Sequence, residues 1–150
     1  MSFMSTLRIR RPPSRTRPSS GCPHRRLFVV TESLVALSGL LGTVQLVAGI
    51  ATPPLEDLPL GLSSWVLPGV WLFATVTLPA AAAAWLAYRR SPLTPGAVLL
   101  AAATMAVEVL VQIPFLGPNP LQAVFGGLAV ALGALGWHAR RAGWGTRGAI

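Results

Sequence analysis

The chain has 150 residues, 53% of them hydrophobic and 11% charged, with a mean hydropathy of +0.61. Soluble domains carry about a quarter of their residues as charged side chains, so this composition excludes an ordinary soluble domain and points to an integral membrane protein. Twelve arginines, no lysine and four acidic residues leave a formal charge of +8, while one cysteine, Cys22, and two histidines, His24 and His138, exclude a disulfide scaffold and a zinc module.

In chain order, residues 1–26 interleave Arg8, Arg10, Arg11, Arg15, Arg17, Arg25 and Arg26 with Pro12, Pro13, Pro18, Ser14, Ser19 and Ser20. Such a segment cannot bury enough apolar surface to fold, and a disordered basic cytoplasmic tail is expected. Its arginines are read as topology determinants, ahead of adhesion to anionic headgroups. No aromatic platform, helix-turn-helix pattern or phosphate loop accompanies them, so no nucleic-acid partner is expected. Cys22 follows no apolar segment, which excludes lipoprotein processing and leaves a free thiol, or a palmitoylation site in a suitable host.

Crossing a hydrocarbon core of ~30 Å takes about 20 apolar residues in a helix. Residues 27–139 contain four such runs, at about 28–51, 66–88, 96–116 and 121–139, so the expected fold is all-α, an integral membrane four-helix bundle. Arg25-Arg26-Leu27-Phe28 resembles a twin-arginine signal and Gly49-Ile50-Ala51 a cleavage site. The first run is nevertheless longer than the ~7–15 residues of a signal core, and more membrane sequence follows it, so it is read as a span. The breaks carry turn chemistry: Thr52-Pro53-Pro54 with Pro59 and Gly61, then Arg89-Arg90-Ser91-Pro92, then Gly117-Pro118-Asn119-Pro120. Residues 140–150 form a short basic cytoplasmic tail.

Arginine placement orients the spans, because short translocated loops lose positive charge. The N-terminal arm, the Arg89-Arg90 turn and the C-terminal Arg140, Arg141 and Arg147 fall on one side, and the loop after span one holds only Glu56 and Asp57. Both termini are therefore expected in the cytoplasm, in the inner (plasma) membrane. Trp85, Tyr88 and Trp137 at the inner ends and Trp65 at the outer end occupy interfacial depths.

Ionisable groups at depth cost on the order of 2.5–3.5 kcal/mol and each asks for a reason. Glu32 lies near the cytoplasmic interface, where an ion pair with Arg25, Arg26, Arg89 or Arg90 is expected. Glu108 lies ~12 Å below the outer boundary, with Gln112 one turn further on the same face; Gln45 and Thr75 fall at similar depths, ~9 Å and ~13 Å. Glu108, Gln112, Gln45 and Thr75 form a possible intramembrane polar site, read first as interhelical packing and second as a protonatable ligand or ion site. Gly39, Gly42, Ala80 to Ala84, Gly126, Gly127, Ala131 and Gly133 allow close helix approach, with Gly127 and Ala131 a small-xxx-small pair. Pro79 is expected to kink span two unless Thr75 or Thr77 compensates.

No HExxH, GxSxG, Walker, Rossmann or paired-cysteine motif is present, so no catalytic residue, metal or cofactor is assigned. Pro68-Gly69 opening span two, Arg89-Arg90 closing it, the Glu108 and Gln112 run, and Leu121-Gln122 opening a glycine-containing span four resemble a group of small, uncharacterised bacterial four-span membrane proteins. The resemblance covers residues 28–139, and a more distant one extends to DoxX-like four-span proteins. It implies a helical bundle and supplies no substrate or catalytic residue. The expected function is a non-enzymatic accessory or assembly component with the lipid bilayer and a membrane-protein partner or a second copy as partners. The alternatives are a small transporter or ligand-binding protein using the Glu/Gln cluster, and a DoxX-like accessory of a membrane oxidoreductase.

Overall fold

The computed structural model describes residues 24–50, 52, 54 and 61–144, with the backbone alone at 115 and 116. The arginine-rich arm up to residue 23, Cys22, Glu56, Asp57 and Arg147 lie outside the described residues. Among those described, every regular element is helical: α1 (Arg25–Ala48), α2 (Val66–Tyr88), α3 (Thr94–Leu116) and α4 (Pro120–Arg141). All four are long and apolar enough to cross a membrane.

Local chemistry sets the ends. α1 begins at Arg25, so Arg25 and Arg26 are helical instead of belonging to the arm. It stops at Gly49, whose φ of 66° suits a residue without Cβ; Gly49 N–H donates to Leu46 O and Ile50 N–H to Gln45 O, a Schellman closure. α2 closes in the same pattern with Arg90 in the left-handed position: Arg90 N–H reaches Ala87 O and Ser91 N–H reaches Leu86 O. α4 opens on a capping box in which Gln122 N–H donates to Asn119 Oδ1 at 3.0 Å and Asn119 N–H to Gln122 Oε1 at 3.1 Å, with Pro120 at the first helical position. His138, Arg140 and Arg141 occupy its last turn, where cations meet the negative end of the helix dipole.

α2 does not run as one uniform helix. Phe73–Thr77 form a π turn, in which Leu78 N–H donates to Phe73 O. An α-helical turn there would press the Pro79 ring against the carbonyl of Thr75, four residues back. The widened turn absorbs that conflict, so the expected distortion takes the form of a π bulge within a continuous helix.

The helices pack antiparallel through their smallest residues. A Cβ added to Gly39 would lie 2.6 Å from Thr77 Oγ1, and one on Gly69 2.9 Å from Val47 Cγ2, so α1 and α2 touch at nearly backbone distance. Gly136 does the same for α4 against Val98 of α3, at 3.1 Å. The core consists largely of alanines, with Phe28, Leu132 and Val98 its largest fully buried apolar side chains. Large aliphatic residues point outward instead: Leu41 is 65% exposed, Leu110 66% and Val130 74%. This distribution inverts that of a water-soluble bundle and suits helices whose outer surface meets lipid.

One end of the bundle carries Arg25, Arg89, Arg90, Arg140 and Arg141 and is tied together by polar contacts. The Arg25 guanidinium donates to Ala87 O and Tyr88 O, at 3.2 and 2.9 Å, capping the end of α2. Residues 142–144 turn back, so that the Trp144 indole donates to Ser91 O at 3.0 Å and its ring lies 5.6 Å from that of Phe28. Arg25, Arg89 and Arg141 stand over the rings of Tyr88, Trp85 and Trp137, at 5.9, 5.5 and 4.8 Å.

Candidate functional site

α3 places Glu108 and Gln112 one turn apart on one face, and Gln112 Nε2 donates to Glu108 Oε1 at 3.0 Å. The π turn of α2 brings Thr75 against the other carboxyl oxygen, 3.1 Å from Glu108 Oε2. Thr75 Oγ1 also lies 2.8 Å from Trp71 O. A hydroxyl has one proton and two lone pairs, so it serves one of these acceptors at a time. With that proton toward Glu108, the carboxyl accepts at both oxygens. The carboxyl belongs to a residue only 7% exposed, so these two neighbours supply its contacts in place of water.

Thr75, Glu108 and Gln112 thus come together, whereas Gln45 does not. Its side chain is exposed on α1 and makes no hydrogen bond among the described residues. The inward stripe of α1 is Phe28, Glu32, Val35 and Gly39. Six residues beyond Gly39, at 3.6 residues per turn, the helix has rotated by about 240°, which carries Gln45 off that stripe. Similar depth does not mean the same face.

The expected ion pair at Glu32 is also corrected. Glu32 is fully buried, and neither carboxyl oxygen has a hydrogen-bond partner among the described residues. Arg25 and Arg26 precede it by ~9–10 Å of helix axis, and the Arg25 guanidinium is committed to the carbonyls of α2. Arg89 stacks on Trp85, and no arginine among Arg25, Arg26, Arg89 and Arg90 pairs with Glu32. The contacts of Arg25 with Ala87 and of Gly39 with Thr77 fix the register, which sets Glu32 opposite the run Ala80–Ala84.

The sequence offers Thr77 only as a compensator for Pro79; the structure buries its hydroxyl against Gly39 with no hydrogen-bond partner among the described residues. Thr75 faces Glu108 of α3 and Thr77 faces Gly39 of α1, two neighbours on different sides of α2. Gln122 opens α4; its capping role uses the amide oxygen and leaves Nε2 buried, with no hydrogen-bond partner among the described residues. Among the described residues, no group of three His, Cys, Asp or Glu side chains is placed to hold a metal ion. No protein family, curated protein or solved structure matches this chain.

Proposed function

We propose that this chain is a non-enzymatic multi-pass protein of the bacterial inner membrane, with both termini and the Arg89-Arg90 turn in the cytoplasm, acting as an accessory or assembly component beside another membrane protein or a second copy. The concentration of arginine at one end of the bundle and the outward large aliphatic side chains support the membrane placement. The observation that carries the assembly role is Gln45. This exposed amide in the last turn of α1 has no hydrogen-bond partner among the described residues, and a neighbouring helix can supply one. Purification from native membranes in mild detergent is expected to recover a stoichiometric protein partner, and Gln45→Leu is expected to loosen it. Recovery of a lone polypeptide, indifferent to that substitution, would refute the reading.

A second reading, a small transporter or ligand-binding protein, is favoured by the grouping of Glu108, Gln112 and Thr75, which places a carboxyl, an amide and a hydroxyl together in the interior. It predicts that Glu108→Gln abolishes pH-dependent uptake in proteoliposomes while the bundle still assembles. Uptake that survives the substitution would discard it.

A further inference from the structure

α1 carries a second pattern that its own bundle does not use. Thr31, Ser38 and Gln45 recur at intervals of seven residues, and Leu27, Leu34 and Leu41 recur at the same interval between them. Steps of alternately four and three residues give a period of 3.5, that of the a and d seam of a left-handed helix pair. Leu27, Leu34 and Leu41 are 45%, 59% and 65% exposed, Ser38 and Gln45 are exposed, and Thr31 is half-buried. None of the three polar side chains has a hydrogen-bond partner among the described residues. The inward contacts of α1 lie on a different stripe, through Phe28, Glu32, Val35 and Gly39. Near the seam, α4 meets α1 at the basic end, where the ring centroids of His24 and His138 are 6.2 Å apart.

We infer that this seam binds the same seam of a second copy, forming a parallel α1 pair about an axis along the membrane normal. The inference rests on the membrane assembly reading and names the partner. Copies inserted under the same arginine bias share one orientation, so their α1 helices run parallel and each residue meets its counterpart at equal depth. That geometry suits these residues. Serine and threonine hydroxyls donate and accept, and a carboxamide does both, so Thr31, Ser38 and Gln45 are each complementary to themselves. A different membrane protein would need matching polar groups at three successive heptads, whereas a second copy supplies them by symmetry. In lipid, where apolar contact adds little net attraction, such paired polar groups fix register and partner number.

The test uses the full chain in native membranes, with Cys22→Ser to remove the native thiol and single cysteines placed along α1. Copper phenanthroline oxidation is expected to give disulfide dimers at positions 34, 38, 41 and 45, and far less at Leu37, Leu40 and Val44, which are exposed but off the seam. Gln45→Leu is expected to weaken dimerisation roughly threefold to thirtyfold, the range that one interhelical polar contact supports. Gln45→Asn, which keeps the amide, should retain more than Gln45→Leu, and this separates a lost contact from a misfolded chain. Uniform cross-linking, cross-linking strongest at 37, 40 and 44, or a monomer throughout would overturn the proposal. If native purification instead yields a different stoichiometric protein and no self-cross-links, the second-copy seam fails while the assembly reading stands.

Discussion

Two carboxyl groups in the same interior have opposite circumstances. Glu108 is held by an amide and a hydroxyl that come from its own helix and the one beside it. Glu32 is fully buried opposite alanines, with both oxygens unpaired among the described residues. A buried polar group without a partner costs about 1–3 kcal/mol. Glu32→Leu is therefore expected to raise the stability of the purified bundle by roughly that amount, read as a higher midpoint for loss of helical signal in denaturing detergent. A lower midpoint would mean that Glu32 has a stabilising partner, such as a bound polar molecule.

At the scale of the element, the closest approaches are the most sensitive to change. Gly39 faces the Thr77 hydroxyl so closely that a methyl group there would need to displace it. Gly39→Ala is expected to destabilise the α1 and α2 pair by about 1–3 kcal/mol through overpacking. The double variant with Thr77→Ala should recover most of the loss, because it removes the clashing oxygen, a buried hydroxyl with no partner among the described residues. Thermal unfolding of the two single variants and the double variant in detergent measures the coupling; simple additivity would show that the Gly39 contact is not with Thr77. The π turn lies in the same segment, where Thr75 reaches Glu108, Thr77 meets Gly39 and the ring of Pro79 is cleared.

At the scale of the whole molecule, the basic end is closed by direct contacts among α1, α2 and the chain after α4, through Arg25, Trp144 and Ser91. On the proposed orientation this end lies at the cytoplasmic headgroups, where the arginine and aromatic pairs suit an interface of mixed polarity. Cysteines introduced at Ser91 and at Asn119 are expected to report opposite sides of the membrane. The first should react with a membrane-impermeant maleimide only after the cell is opened, and the second in intact spheroplasts. Labelling of Ser91→Cys alone from outside would reverse the topology, and labelling of both positions from outside would remove the single orientation on which a parallel α1 pair rests.

Four helices and their breaks were legible in the chain because long uncharged runs separated by Pro, Gly and paired arginine leave few other threadings. The pairing of Glu108 with Gln112 was equally legible, since a spacing of four residues within one helix fixes adjacency without any tertiary knowledge. Position along the helix axis, too, follows from counting residues. Azimuth does not: which side of α1 turns inward depends on where Gly39, Gly42 and Gly69 allow α2 to approach, and that contact set Glu32 inside and Gln45 outside. Tertiary packing likewise decided that Arg25 caps the end of α2 and that Thr75 reaches Glu108. Helix rotation is settled between helices, by steric contacts that no single segment contains, whereas the widened turn before Pro79 answers a clash within α2 itself.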